Sequence, residues 1–319
     1  MEKCRVLVTR KLPIPVEKRL RDKYSVTFNE SDVPLTFDEL SAGVRDYDAL
    51  VTTVSDKISE TILRSPNSRI KMIANVGVGY NNIDVKVAQH LGIVVSNTPD
   101  VLTEATADIA MFLILAATRK VFACEQMLRK NEWKGFSIVD GLGAGIQGKM
   151  LGIIGMGRIG QATARRAALG FGMKIVYFNR SQVNELDFDA QRLATITEVM
   201  SSADVVSIHV PGGGSNPLIK SEHINAMKPT AFFVNTSRGD SIEQDALISA
   251  LHSNKIAGAG LDVFLNEPSV PETLRNMNNV TLLPHIGSAT QEVRLAMGML
   301  AVENLTAFFE GQDPPNQIN

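Results

Sequence analysis

Short apolar runs rich in β-branched residues alternate with helical patterns along almost the whole chain. In the first third, helices are predicted around 16–23 and 83–91, and strands at 5–10, 24–28, 49–54, 70–76 and 93–97. Strands separated by helices in this way indicate βαβ units and a parallel sheet. Their nearly continuous apolar character indicates a sheet that is covered on both faces.

The same alternation returns in the second half of the chain. Strands are predicted at 149–155, 173–179, 204–210, 230–235, 257–263 and 280–283, and a closing helix runs from Gln291 to about Glu310. Between the halves, the stretch 103–120 is helical and apolar on most sides, so we expect it to be buried between domains or in a subunit interface. The predicted fold class is therefore α/β, with two doubly wound parallel-sheet domains.

The length of the chain predicts two domains, and its charge predicts neither a nucleic-acid nor a membrane partner. The chain has 319 residues, of which 44% are hydrophobic, and a formal net charge of −2, which argues against nucleic acid or an anionic membrane as a partner. Its two cysteines make a disulfide framework unexpected. The first residues, MEKCRVLVTRKLP, contain no signal-peptide core, and the apolar run 109–118 is too short to span a bilayer. We expect a cytoplasmic protein.

A glycine motif opens the second domain. Gly155, Gly157 and Gly160 form G-x-G-x-x-G directly after a predicted strand and before a helical run. The first glycine permits the tight turn, the second lets the backbone approach a pyrophosphate, and the third allows close packing of helix and strand. In this context the motif predicts a dinucleotide site at the helix N-terminus, to which Arg158 and Ile159 contribute.

The end of the next strand predicts which dinucleotide binds. An NAD-selective site has Asp or Glu there to bind the ribose 2′-hydroxyl, whereas this chain has Asn179, Arg180 and Ser181. A neutral amide removes the repulsion of a 2′-phosphate, and a guanidinium with a hydroxyl can bind one. The alternative interpretation is a solvated surface turn. We predict NADP(H) as the cofactor.

Three chemically active side chains follow the ends of three later strands. Arg238, Glu267 and His285 come after the runs TAFFVN, AGAGLDV and VTLL. Carboxyl ends of parallel strands meet at one edge of a sheet, so these residues should share the edge that carries the cofactor. Each alone could be structural, but together they supply a cation for a carboxylate, an acid–base group and a carboxylate to orient it. No His, Asp or Glu cluster has metal-ligand spacing, so no metal is expected.

The motifs G-M-G-R-I-G, N-T-S-R-G, G-A-G-L-D-V-F-L-N-E-P and L-L-P-H-I-G-S-A-T, in this order, resemble the D-2-hydroxyacid dehydrogenase family. The run N-V-G-V-G-Y-N-N-I-D is similar to the substrate loop of that family. Within the family the chain looks most like NADP-using glyoxylate/hydroxypyruvate reductases, with 2-ketogluconate reductases close behind. The resemblance covers essentially the whole chain.

The resemblance implies a role for each matching residue. Arg238 would bind the carboxylate of a 2-oxo acid, His285 would protonate its carbonyl oxygen, and Glu267 would stabilise the imidazolium. Further substrate contacts would come from Val76, Gly77, Val78 and Ser288. Further cofactor contacts would come from Thr106, Val210, Pro211, Thr236, Asp262 and Gly287.

The resemblance also implies an architecture and leaves alternatives open. A Rossmann coenzyme domain, 99–288, would be inserted in a flavodoxin-like substrate domain, 1–98 and 289–319, and homodimers would form through 103–120 and the glycine-rich segment 121–148. Alternative functions are 2-ketogluconate reductase, D-3-phosphoglycerate dehydrogenase and a non-enzymatic, dinucleotide-sensing corepressor. One departure from the family is the triple glycine in HVPGGGSNPLI, a loop that is costly to order.

Overall fold

The chain forms two compact units. The computed structural model describes residues 3–183, 185–214 and 216–319. One unit consists of Met1–Leu102 and Ser288–Asn319, and the other of Thr103–Gly287. The second unit is thus inserted in the first along the chain, and the assignment of a coenzyme domain to 99–288 and a substrate domain to 1–98 and 289–319 stays a prediction.

The regular elements follow the predicted alternation. The strands, in chain order, are β1 (Arg5–Val8), β2 (Ser25–Phe28), β3 (Ala49–Thr53), β4 (Met72–Val76), β5 (Val94–Ser96), β6 (Met150–Ile154), β7 (Lys174–Phe178), β8 (Ala190–Arg192), β9 (Val205–Ile208), β10 (Phe232–Asn235), β11 (Gly258–Leu261) and β12 (Val280–Leu282). The helices, in chain order, are α1 (Ile14–Lys23), α2 (Phe37–Asp46), α3 (Glu60–Leu63), α4 (Val85–His90), α5 (Thr103–Thr118), α6 (Val121–Arg129), α7 (Arg158–Arg165), α8 (Ile196–Ser202), α9 (Ser221–Asn225), α10 (Gln244–His252), α11 (Glu272–Arg275) and α12 (Gln291–Phe309). Apart from the short β8, each of these strands lies inside a predicted one.

The first unit contains a five-stranded parallel sheet in the order β2-β1-β3-β4-β5. This 2-1-3-4-5 order is that of flavodoxin-like folds, which confirms the predicted fold class for this unit. Every residue of β4 is buried, as expected for a strand covered on both faces. Helices α1 and α12 pack so closely at Gly298 that a Cβ atom there would lie 2.6 Å from the Val16 side chain.

The outer edge of this sheet is covered by the last residues of the chain. Ser96 in β5 forms an antiparallel bridge with Gln317, and the Ile318 N–H donates to the Val95 carbonyl at 2.8 Å. The Asn319 side chain accepts from the Val95 N–H and donates to the Ile93 carbonyl, both at 2.8 Å. The segment therefore occupies backbone groups that an edge strand would otherwise expose.

The second unit contains a seven-stranded parallel sheet in the order β12-β11-β10-β9-β6-β7-β8. The order reverses beside β6, which is the arrangement of the Rossmann fold and confirms the predicted class. Consecutive residues of a strand point to opposite faces, and both faces are buried here: Phe233 and Val234 are each 0% exposed and belong to different apolar clusters.

The apolar helix α5 covers one face of its own sheet. A Cβ atom on Gly260 in β11 would lie 2.9 Å from the Leu113 side chain, so the small strand residue admits the helix. The burial expected at a domain or subunit interface is thus provided largely within the unit. Phe112 is the exception, with 46% of its surface exposed. In the part of the chain that is described, none of the helices has the length and apolar character that a bilayer span requires.

Candidate active site

The glycine motif forms the turn between β6 and α7. Gly155 has φ +95°, and a Cβ atom there would lie 2.4 Å from the His209 carbonyl oxygen. A Cβ atom on Gly160 would lie 2.1 Å from the Gly155 carbonyl oxygen. Around the Cβ position of Gly157 there is open space, with nothing within 4 Å. Two glycines are therefore required by packing, and the third leaves room for a ligand at the helix N-terminus.

The turn after β7 is ordered by the Asn179 side chain. Its Oδ1 accepts from the Met156 N–H at 3.1 Å, and its Nδ2 donates to the Ser181 carbonyl at 3.0 Å. Asn179 therefore joins this turn to the glycine motif. Arg192, at the end of the unpredicted strand β8, donates from Nη2 to the carbonyls of Asn179 at 2.9 Å and Arg180 at 3.3 Å.

Arg192 is a cation that the sequence analysis missed. Its strand is short and polar, so no periodicity marks it, and only the pairing of β8 with β7 brings it to this turn. It places a second guanidinium beside the residues expected to bind a 2′-phosphate.

The ends of β9 and β10 bring further predicted residues to the same edge of the sheet. Val210 and Pro211 follow β9, and Thr236 directly follows β10. Thr236 is 8% exposed, and its Oγ1 has no hydrogen-bond partner among the described residues. A buried polar atom without a partner is costly, so an atom of a bound molecule would stabilise it. The open glycine turn and this hydroxyl fit a dinucleotide.

Asp262 fixes the segment that follows β12. Its side chain is buried and accepts from the N–H groups of Ile286 at 2.7 Å and Gly287 at 2.8 Å. The His285 N–H donates to the Asp262 carbonyl at 2.9 Å. Burial raises the pKa of Asp262 more than these two hydrogen bonds and the charge of His285 lower it. A Cβ atom on Gly287 would lie 3.3 Å from Thr106, so that predicted residue belongs to the same edge.

His285 and Glu267 form a hydrogen-bonded pair. The His285 Nδ1 lies 2.7 Å from the Glu267 Oε2, and the side chains are 29% and 34% exposed. The Glu267 Oε1 also accepts from the Phe264 N–H at 2.9 Å. His285 has φ +55°, an unusual conformation for a non-glycine residue and one that clusters at functional sites. With Nδ1 on the carboxylate, Nε2 is the ring nitrogen left for a substrate.

The charge of Glu267 is maintained by its surroundings. Burial tends to raise the pKa of Glu267, but the hydrogen bond and charge of His285 outweigh it, together with the Phe264 N–H and the charge of Arg238. The net effect is a pKa below the ordinary value. A carboxylate that stays ionised can hold the imidazole in one orientation and stabilise its protonated form.

Arg238 lies just past β10 and is half-buried. Its Nη1 donates to the Ser237 carbonyl at 2.7 Å, and its own carbonyl accepts from the Asn235 side chain at 2.9 Å. Burial lowers the pKa of Arg238, while the charges of Glu267 and Asp240 act in the opposite direction. Since a guanidinium remains protonated in proteins, this is a half-buried cation able to bind a carboxylate through two parallel hydrogen bonds.

One buried histidine beside the motif was not selected from the sequence. His209 follows β9, and its Nε2 lies 2.9 Å from the Ser207 Oγ. Burial lowers the pKa of His209 to about 3. The ring is therefore neutral at physiological pH, and its carbonyl packs against Gly155, which assigns it a structural part in the turn.

The remaining predicted residues belong to the first unit. Gly77 follows β4, and its N–H donates to the Asn75 carbonyl at 3.0 Å, while the Val78 carbonyl accepts from the Asn97 side chain at 2.9 Å. Ser288 begins the second segment of this unit. The assignment of this loop, with Val76, and of Ser288 to substrate binding stays a prediction.

Comparison with known proteins identifies a matching family model and relatives that span nearly the whole chain. A family model described as D-isomer specific 2-hydroxyacid dehydrogenase, NAD binding domain, matches residues 111–287. The glyoxylate reductase of Thermococcus litoralis is 42% identical over 323 aligned residues, which are 99% of this chain and 97% of that protein. The glyoxylate reductase of Pyrococcus furiosus is also 42% identical, over 99% of this chain and 96% of its own.

A solved structure is similar over the same length. The NADPH-dependent glyoxylate/hydroxypyruvate reductase of Sinorhizobium meliloti, in complex with NADP and malonate, superposes with a TM-score of 0.87. It is 35% identical, and the match covers 99% of this chain and 97% of that one.

Proposed function

The chain belongs to the D-isomer specific 2-hydroxyacid dehydrogenase family, and we propose that it uses NADPH to reduce small 2-oxo acids, chiefly glyoxylate and hydroxypyruvate, to D-2-hydroxy acids. The observation that carries this proposal is the 2.7 Å pair of His285 and Glu267 on the sheet edge that also holds Arg238 and the glycine turn. The choice of glyoxylate and hydroxypyruvate is supported by the relatives, which are named glyoxylate reductases and a glyoxylate/hydroxypyruvate reductase.

Each residue of this edge has a task in the proposed reaction. Arg238 binds the carboxylate of the acid and polarises its carbonyl. When bound, the reduced nicotinamide supplies a hydride to the carbonyl carbon. His285 would donate a proton from Nε2 to the carbonyl oxygen, so that the C=O double bond becomes a C–O single bond with a new C–H and a new O–H bond. Glu267 accepts the hydrogen bond from Nδ1 and balances the charge of the imidazolium before transfer. Asp262 holds the backbone of residues 285–287 in place.

The preference for NADPH rests on the turn after β7. None of the residues 179–183 directly after this strand is a carboxylate that would repel a 2′-phosphate, and Arg180, Ser181 and Arg192 offer positive charge and hydrogen-bond donors. We expect Arg180→Ala to weaken NADPH binding at least fivefold more than NADH binding, measured by fluorescence titration. The exposed Arg275→Ala variant is the control, and equal losses for both cofactors would contradict the assignment.

The activity itself is tested by steady-state kinetics. NADPH and NADH oxidation should be measured with glyoxylate, hydroxypyruvate, pyruvate and 2-ketogluconate side by side. We expect the two- and three-carbon acids to be reduced fastest, and His285→Ala to lose at least a thousandfold in kcat with NADPH affinity unchanged, whereas the exposed His252→Ala keeps full activity. Dinucleotide binding without turnover of any acid would instead favour the sensing protein.

Assembly into a homodimer is part of the same proposal. The segment after α6 exposes apolar side chains that a monomer would leave in water: Phe136 is 90%, Ile138 80% and Val139 74% exposed. Such a patch is typical of an interface. We expect sedimentation to show a dimer that Phe136→Asp weakens, whereas Val33→Asp, at a 61% exposed position outside the patch, leaves it intact. A monomeric wild-type protein would contradict this assignment.

A further inference from the structure

Two features of this chain, the triple-glycine loop and the aspartate two residues after Arg238, meet in the structure. A Cβ atom on Gly212 would lie 2.4 Å from the Asp240 Oδ1, and 2.6 and 2.7 Å from Cγ and Cβ of Arg238. A side chain at 212 would therefore collide with both residues. Gly212, the first glycine of the triple-glycine loop, is thus required by this contact.

Asp240 also holds the loop through a hydrogen bond. The Gly213 N–H donates to the Asp240 Oδ2 at 2.8 Å, and Gly213 has φ +85°, a conformation that favours glycine. One carboxylate oxygen thus faces Gly212 and the other binds Gly213. The loop is fastened beside Arg238 by a side chain that carries a negative charge.

That charge acts on the cation of the site. Both Glu267 and Asp240 are close enough to Arg238 to favour its charged form against the effect of burial. Glu267 is hydrogen-bonded to His285, and Asp240 holds the Gly213 N–H. Any anion that binds Arg238 must therefore approach a second carboxylate in a half-buried environment, where charges are only partly screened.

We propose that Asp240 is a specificity-determining residue that selects 2-oxo acids with one negative charge against those with a second carboxylate or a phosphate. The proposal rests on the proposed function, since it concerns the acid that Arg238 binds. The single charge of a monoanion is neutralised by Arg238, which offsets its repulsion by the Asp240 carboxylate. Because Arg238 is already neutralised by the first carboxylate, the second charge of a dianion adds a repulsion with Asp240 that a monoanion does not have.

The test compares acids of equal length in matched variants. Asp240→Asn removes the charge but keeps an oxygen that can accept from Gly213, and Asp240→Ala removes both. The substrates are 2-oxobutyrate, a monoanion, and oxaloacetate, a dianion. We expect the ratio of kcat/KM for the dianion over the monoanion to rise about tenfold in Asp240→Asn, the size of one charge–charge interaction over about 10 Å in a partly buried site. The exposed Asp245→Asn should leave the ratio unchanged.

Hydrogen exchange at Gly213 separates the charge from the tether. We expect protection to persist in Asp240→Asn and to fall in Asp240→Ala. A ratio that stays within twofold of wild type in Asp240→Asn, with Gly213 still protected and the monoanion still reduced, would overturn the proposal and leave the reductase function standing. If the wild-type protein reduces no 2-oxo acid at all, the proposed function fails and this inference fails with it.

Discussion

Replacing Glu267 by Gln tests whether the pair with His285 matters for the chemistry. The variant has nearly the same shape, and its side-chain oxygen can still accept from the Phe264 N–H. The amide nitrogen would then face the His285 Nδ1, where a charge-assisted hydrogen bond of 2.7 Å is lost. Such bonds are worth about 1.5–3 kcal/mol, which converts to a roughly 10- to 150-fold loss if it is felt in the transition state.

The assay is kcat/KM for glyoxylate at saturating NADPH, with NADPH affinity measured separately by fluorescence. We expect the loss to appear in kcat, because Glu267 acts on the proton donor and not on cofactor binding. Glu272→Gln, at an exposed position in α11, is the matched control. A loss of less than threefold in Glu267→Gln would refute the orienting role. A parallel loss of NADPH affinity would show that the change disturbs the site as a whole.

Three further predictions concern stability and the cofactor. The pKa of Glu267 is lowered by folding, so its contribution to stability is fully present above its unfolded value and is lost as the pH falls through the folded one; the difference in Tm between wild type and Glu267→Gln should therefore shrink as the pH falls below the ordinary glutamate value of 4.5. Gly160→Ala places a methyl group 2.1 Å from a backbone oxygen and should abolish tight dinucleotide binding, whereas Gly170→Ala, with open space around it, should bind normally in the same titration. Arg192→Gln removes a guanidinium from the turn after β7 and should weaken NADPH about 3- to 10-fold with little change for NADH; equal losses would mean that Arg192 only braces the turn.

The fold and the location of the site follow from patterns that the sequence carries locally. β-Branched runs and glycine turns mark the strands, and the geometry of parallel sheets brings their carboxyl ends together. This is why Arg238, Glu267 and His285 could be assigned to one edge although they are far apart in the chain. The pairing of His285 with Glu267 was expected as well, whereas the atoms that it joins and their 2.7 Å separation depend on the folded loops.

What could not be predicted depends on contacts between segments without a periodic pattern. Arg192 lies on a three-residue strand, and its position is set by pairing with β7. The Gly212–Asp240 contact joins two loops, and of these the sequence analysis noted only the entropic cost of ordering the triple glycine. The apolar helix α5 was recognised as buried, but its cover is the glycine-containing strand β11 of its own sheet, a fit that depends on side-chain volumes at the contact.

The pairing of residues 316–319 with β5 has a consequence for the solubility of the protein. An uncovered edge strand offers a row of N–H and C=O groups to any other chain, and is a recognised route to aggregation. Here a short, mostly polar segment fills that row: the Asn319 side chain bonds the Val95 N–H and the Ile93 carbonyl, and the Ile318 N–H bonds the Val95 carbonyl. A fusion or truncation that draws this segment away would leave the sheet of the first unit open to pairing between molecules.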